Sequence, residues 1–197
     1  WDIAGQLRQE PVWRLLGGPV RDRVPVYNSC GGPSYGRRPL DAPDAQGWPG
    51  HGDPGKPGPL EDNWRSANEP ADLAEELLAE GITAMKVWTL DGLYQNHGGH
   101  YLSLPALTAA LKPLFAIRDR VGNNIELMLD GHGFFSLPAA TRIAEVLRDV
   151  GLLWCEDLLR PDCLESLAEL RHRGGVPLAI SEMLITRESY KRALALR

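Results

Sequence analysis

The sequence predicts an α/β protein in which helices cover a parallel β-sheet. From residue 65 onward, helical and strand patterns alternate, and the strand segments are almost continuously apolar. Parallel strands that are buried on both faces have this composition, and helical crossovers connect them. The expected strands span 24–29, 82–88, 125–130, 152–156 and 177–182.

Local signals place helices between these strands. A helix start is favoured by a side chain that accepts a hydrogen bond from the first backbone N–H groups, and a helix end is favoured by glycine. Asn68 and Ser103 are expected to cap two helices, and Gly81 is expected to end the first. The expected helices span 69–80, 104–119 and 138–149, and two more begin at Asp162 and Thr186.

Two architectures have this order of elements, an open doubly wound sheet and a closed (β/α) barrel. A dinucleotide-binding sheet of the first kind carries the pattern G-x-G-x-x-G after a strand. The glycine pairs at 17–18, 31–32, 98–99 and 174–175 never extend to this pattern. The main positive evidence for a Rossmann fold is therefore missing.

The composition of the 197-residue chain disfavours several functional classes. The net charge is −5 and the pI is near 5.5, which disfavours a nucleic-acid partner. No apolar run approaches the roughly 18 residues of a membrane span, and no signal-peptide pattern opens the chain. Three cysteines are too few for a disulfide scaffold, so we expect a protein of the reducing cytoplasm. From the charge and the missing apolar run, we expect neither a nucleic-acid nor a membrane partner.

Residues 31–64 contain eight glycines and seven prolines. Both residue types interrupt helices and strands, so this range is expected to form a long loop. A loop of this length is usually either functional or a disordered insertion, and the composition leaves both alternatives open.

Three acidic residues lie at the carboxyl ends of three successive expected strands. Asp130, Glu156 and Glu182 each end an apolar run, and 26 residues separate each neighbouring pair. Each interval fits one strand, one helix and two short loops, so the carboxylates are expected to converge at one edge of the sheet. Converging carboxylates repel one another unless a cation neutralises them, and oxygen ligands favour Mg²⁺, with Ca²⁺ or Mn²⁺ as alternatives. The spacing therefore predicts a divalent metal site.

The same segments resemble a known family. LMLDGHG at 127–133, LLWCED at 152–157 and LAISE at 178–182 are similar to the metal motifs of three successive barrel strands in the enolase superfamily. The similar branch is that of mandelate racemase, muconate lactonizing enzymes and acid-sugar dehydratases, with galactonate and mannonate dehydratases nearest. Residues 1–27 and 81–88 resemble the segments that contain the family's first and second barrel strands.

The resemblance implies a Mg²⁺-dependent acid-sugar dehydratase, a lyase. Such enzymes remove a proton alpha to a carboxylate, the metal stabilises the enediolate, and loss of water gives a 2-keto-3-deoxy acid. By position, Asp130, Glu156 and Glu182 match the metal ligands, and His132 matches a histidine that assists departure of the hydroxide. The implied partner is a small sugar acid, and the family implies a homo-oligomer.

Lys86 and Trp88 stand where many racemases and cycloisomerases carry Lys-x-Lys, whose second lysine is a base. Trp88 offers only an indole N–H donor, so a lysine-based racemase is disfavoured. Racemisation by another base, or another proton-transfer reaction of the family, stays the alternative. Lys86 is expected either to touch the substrate carboxylate or to pair with Asp130, and the sequence leaves both open.

The resemblance also implies a domain organisation. Residues 1–23 are expected to form the end of a lid domain and linker helices, and 24–197 a partial (β/α) TIM-type barrel of about five strands. Most of the family's lid domain, and the last strands with their histidine base, have no counterpart in the sequence. We therefore expect a fragment that does not turn over alone, with a non-catalytic remnant as the alternative from another class.

Overall fold

The sheet is parallel, as the sequence predicts. The computed structural model describes residues 1–32, 61–180 and 182–196. Its strands lie side by side in chain order: β1 (Ala84–Val87), β2 (Glu126–Asp130), β3 (Trp154–Glu156) and β4 (Leu178–Ala179). A doubly wound sheet reverses its strand order at a switch point, whereas a barrel adds each strand beside the previous one. The described strands therefore form one arc of a (β/α) barrel.

The first expected strand, 24–29, is reduced to a single parallel bridge between Asn28 and Met85. The backbone N–H of Asn28 donates to the Ala84 carbonyl at 2.9 Å, and the Lys86 N–H donates to the Asn28 carbonyl at 2.8 Å. Pro25 lies within this segment and has no N–H for a ladder. The segment thus lies beside β1 where a first strand is expected, but the prediction of a full strand is wrong.

Helices alternate with the strands along the chain, and two of them were not expected. The described helices are α1 (Asp2–Arg8), α2 (Val12–Leu15), α3 (Asp62–Asn68), α4 (Pro70–Ala79), α5 (Leu90–His97), α6 (Leu104–Val121), α7 (Leu137–Leu147), α8 (Leu164–Gly174) and α9 (Arg187–Ala195). α3 begins inside the expected loop 31–64, and α5 follows β1 directly. Residues 33–60, the rest of that loop, lie outside the described residues. Within the described residues, no helix is long and apolar enough to cross a membrane.

Two of the predicted helix starts are confirmed and two are wrong. The Ser103 hydroxyl accepts a hydrogen bond from the Ala106 N–H at 3.3 Å, and Thr186 forms a capping box at the start of α9. Asn68 instead ends α3, because the chain turns at Glu69 before α4 begins. Asp162 precedes the N-cap of α8, which is Cys163.

The apolar faces of two helices, α6 and α7, form part of the core against one side of the sheet. On α6 and α7 the buried side chains are Leu107, Leu111, Leu114, Ile117, Ile143 and Leu147. Cys155 on β3 is also fully buried on this side, and burial raises the pKa of its thiol to about 12. Because side chains alternate along a strand, the buried thiol leaves the opposite face of β3 for Glu156.

Gly99 sets the distance between α5 and the loop after β2. Its carbonyl accepts a hydrogen bond from the Ser136 N–H at 2.8 Å, and an added Cβ would collide with the Phe134 carbonyl oxygen. We expect Gly99→Ala to cost about 1–3 kcal/mol of unfolding free energy, because backbone must move to relieve the overlap. Gly92→Ala is the matched control, since nothing lies within 4 Å of its added Cβ in the first turn of α5. Chemical denaturation of both variants checks this, and equal stabilities would contradict it.

Candidate metal centre

The carboxyl ends of three strands bring Lys86, Asp130 and Glu156 together. Parallel pairing sets Asp130 opposite Glu156, and Lys86 pairs with Met128, so all three side chains project from the same face. The Lys86 Nζ lies 2.8 Å from Asp130 Oδ2 and 2.9 Å from Glu156 Oε2. Burial alone would lower the pKa of Lys86, but the two carboxylates outweigh burial and raise it. Of the two alternatives for Lys86, the structure shows the pairing with Asp130, and Glu156 shares it.

Glu182 approaches this pair from a different register than the sequence predicts. Equal spacing places Glu182 opposite Glu156, but Ala179 occupies that position. The pairing of β3 with β4 ends at Ala179, the last residue of the two-residue strand β4. Glu182 lies in the turn that follows. The expectation of equal register at the third step is therefore wrong. A carboxylate oxygen of Glu182 nevertheless lies within 4.8 Å of one of Glu156.

Asp157 is a fourth carboxylate at this edge, and it was not predicted from the sequence. Asp157 is 1% exposed, and neither of its carboxylate oxygens has a hydrogen-bond partner among the described residues. One carboxylate oxygen each from Glu156, Asp157 and Glu182 lie within 4.8 Å of one another. Among the described residues, these three side chains are close enough together to bind one metal ion. Asp130 lies outside this group and contacts Lys86. We call these four acids, Asp130, Glu156, Asp157 and Glu182, the carboxylate cluster.

The carboxylate cluster fits a divalent cation. Burial, followed by the charges of Asp130, Glu156 and Glu182, raises the pKa of Asp157 to about 7. A buried carboxylate without a donor or a cation costs free energy, and Lys86 is already shared between two other acids. Carboxylate oxygens in this number are the ligands that Mg²⁺ and similar hard ions prefer. The unpartnered oxygens of Asp157 therefore favour a cation at this edge.

His132 lies on the turn after β2, beside the carboxylate cluster. Its backbone N–H donates to Asp130 Oδ1 at 3.1 Å, and its φ of +49° lies in the left-handed region. The Gly131 N–H donates to the Glu156 carbonyl at 2.9 Å, which ties this turn to β3. The His132 Nδ1 lies 2.8 Å from Asp91 Oδ1, and its Nε2 lies 3.8 Å from Asp130 Oδ2. The turn therefore presents the Nε2 edge of the ring to the cluster.

The surroundings of His132 favour its protonated form. Burial opposes a charged ring, but the hydrogen bond to Asp91 and the charges of Asp91, Asp130 and Glu182 outweigh burial and raise the pKa of His132. A raised pKa lets the ring hold its proton to higher pH than a free histidine does, which suits a general acid.

Aromatic side chains border the imidazole. Trp88 meets the His132 ring edge-on with centroids 5.4 Å apart, and Phe134 lies at 5.9 Å on a tilted plane. Tyr94 stacks on Phe134 at 4.2 Å with planes 10° apart. These rings hold the imidazole against the cluster and place apolar surface beside it.

Two acids at this edge, Asp91 and Asp157, were missed by the sequence analysis. Neither ends an apolar run, which was the criterion that selected the other three. Asp91 lies four residues after β1, and Asp157 directly follows the last residue of β3. A search for acids within one helical turn of each strand end would have found both.

Comparison with known proteins gives the family. The model of the enolase C-terminal domain-like family matches residues 69–197. The chain therefore belongs to this family of the enolase superfamily, in the branch of mandelate racemase and muconate lactonizing enzyme.

The individual relatives are longer than the chain. A "D-galactonate dehydratase family member" from Streptomyces bingchenggensis is 32% identical over 194 residues, covering 94% of this chain and 42% of that protein. An enolase protein from the Sargasso Sea environmental genome is 34% identical with a TM-score of 0.77, over 100% of this chain and 44% of the other. A mandelate racemase/muconate lactonizing enzyme-like protein from Rubrobacter xylanophilus is 30% identical with a TM-score of 0.75, over 100% and 47%. The chain thus spans less than half the length of each.

Proposed function

We propose that the protein containing this chain is a Mg²⁺-dependent dehydratase that converts a sugar acid into a 2-keto-3-deoxy acid and water. The observation that carries the proposal is the position of His132, with its Nε2 edge beside a carboxylate cluster that fits a divalent cation. The similarity to a D-galactonate dehydratase family member supports the same class of reaction.

In this proposal Asp130, Glu156 and Glu182 hold the ion. The Lys86 Nζ lies within 2.9 Å of both Asp130 and Glu156, so these two carboxylates already converge on one positive charge. Asp157 adds negative charge beside them. When bound, Mg²⁺ supplies a positive charge that stabilises negative charge developing on the substrate carboxylate.

Lys86 helps to bind the substrate in this proposal. An ammonium group has three N–H donors, and Asp130 and Glu156 accept two of them. The third donor binds a carboxylate oxygen of the sugar acid. Trp88, in the position of the lysine base of many racemases, favours dehydration over lysine-based racemisation.

The reaction breaks two bonds of the substrate. The C–H bond alpha to the carboxylate breaks first, and the proton passes to a base, for which the family resemblance indicates a histidine on a later barrel strand. The C–O bond at the neighbouring carbon then breaks, and the proton on His132 Nε2 joins the departing hydroxide to give water. The remaining enol becomes the 2-keto acid, so the reaction involves no net oxidation or reduction.

A screen of sugar acids with Mg²⁺ and the protein at its natural length tests this function through the appearance of 2-keto-3-deoxy products. We expect His132→Asn to lower turnover by about 10²–10⁴-fold, the usual contribution of a general acid, and to leave Mg²⁺ affinity unchanged. His172→Asn, on the exposed face of α8, is the control and should retain full activity. Unchanged turnover in His132→Asn would remove this residue from the mechanism.

A further inference from the structure

Asp91 joins the start of α5 to the His132 ring. Asp91 lies in the first turn of α5 and is 8% exposed. Its backbone N–H donates to the Trp88 carbonyl at 3.2 Å, which anchors it just beyond the end of β1. His132 reaches Asp91 from the turn after β2, so the contact links two neighbouring strand ends.

The contact determines which ring nitrogen carries a proton. A carboxylate only accepts hydrogen bonds, so the Nδ1 that lies 2.8 Å from Asp91 Oδ1 is protonated. Nε2 is then the nitrogen that exchanges a proton with other groups. It faces the carboxylate cluster, 3.8 Å from Asp130 Oδ2.

Packing keeps the ring in this orientation. The side chains of His132 and Asp91 are only 9% and 11% exposed, so water competes little for their hydrogen bond. Trp88 and Phe134 contact the imidazole from two further directions, with centroid distances of 5.4 and 5.9 Å. A flipped ring would lose the Asp91 hydrogen bond inside a nearly closed site, which is costly.

We propose that Asp91 is a positioning residue, which holds His132 in the Nδ1–H form so that Nε2 points at the metal and the substrate. The proposal deepens the proposed function and rests on it for the catalytic consequence, whereas the state of the ring is independent of any activity. In Ser-His-Asp enzymes an aspartate has the same relation to a histidine, and its change to asparagine gives the wrong tautomer and lowers kcat about 10⁴-fold.

Nitrogen-15 NMR of the unmodified protein at its natural length tests the state of the ring without any substitution. The His132 signals are assigned by their absence in His132→Asn. At a pH where the ring is neutral, we expect the chemical shifts of a protonated Nδ1 and an unprotonated Nε2. A neutral ring with the proton on Nε2 would overturn the proposal.

Asp91→Asn then tests the consequence. The amide of asparagine can donate to Nδ1, so we expect the neutral ring to change to the Nε2–H form and kcat to fall by at least about 100-fold. KM and Mg²⁺ affinity should stay near the wild-type values, which separates positioning from a general loss of structure. Asp119→Asn, at an exposed position of α6, is the control.

The two readouts distinguish the two hypotheses. An Nδ1–H ring that persists in Asp91→Asn overturns the positioning role of Asp91. A ring that changes form while turnover is unaffected supports the positioning role and overturns the acid role of His132 in the proposed function.

Discussion

Glu156→Gln is expected to weaken divalent-cation binding strongly and, with it, to suppress sugar-acid dehydration. Glu156 is the carboxylate that connects both parts of the cluster, because it contacts Lys86 at 2.9 Å and lies within 4.8 Å of Asp157 and Glu182. Glutamine keeps the shape of the side chain but carries no charge. Residues that merely support a metal ligand change metal affinity about 10–100-fold, so loss of a ligand should weaken Mg²⁺ binding by at least about 100-fold.

Calorimetric titration of Mg²⁺ into the metal-free protein at its natural length measures this effect. Glu165→Gln is the matched control, because it removes the same charge from an exposed position in the first turn of α8. The control should bind Mg²⁺ as the wild type does. If Glu156→Gln also binds Mg²⁺ with wild-type affinity, the proposed centre is wrong.

Relative to the wild type, Asp157→Asn is expected to become increasingly more stable in the metal-free state as the pH rises. The pKa of Asp157 in the folded protein is raised to about 7 from an ordinary value of 3.8, chiefly by burial. The unfolded chain therefore releases this proton at lower pH than the folded protein does, and stability falls as the pH increases through this window. From pH 5 to pH 8 the loss from this one group is about 3 kcal/mol. His132, whose pKa is also raised, contributes in the same direction.

Chemical denaturation of metal-free wild type and Asp157→Asn at pH 5 and pH 8 isolates this contribution. The difference in stability between the two proteins should grow by about 3 kcal/mol in favour of the variant from pH 5 to pH 8, because position 157 no longer titrates in the variant. Asp149→Asn, at an exposed position after α7, should show no such growth. A difference that is independent of pH would show that Asp157 is not a destabilising buried charge.

The core and most helix boundaries follow from local sequence patterns. The apolar spacing of α6 and α7 and the caps at Ser103 and Thr186 depend only on residues within one or two turns, so the sequence contains the required information. The error at Asn68 arises because a further helix, α3, occupies the residues before Glu69. Composition did not distinguish this short helix from the Gly/Pro-rich range that precedes it.

The sheet edge was predictable only in part. Asp130 and Glu156 lie opposite each other because β2 and β3 pair directly up to their last residues. The position of Glu182 depends on where pairing with β4 stops, which is a tertiary property that a spacing of 26 residues does not encode. Asp91 reaches His132 because α5 begins just after β1, and the backbone at Asp157 has a positive φ of 40°. Neither feature follows from the apolar runs that mark the strands.

A crystal structure of the protein at its natural length, grown with Mn²⁺ in place of Mg²⁺, tests the metal centre most directly. Anomalous scattering locates the ion independently of the protein coordinates. We predict one peak at the carboxyl edge of the sheet, within about 2.0–2.6 Å of oxygens from Asp130, Glu156 and Glu182. No peak at this edge, or a peak whose ligands do not include all three of these residues, would contradict the proposed metal centre.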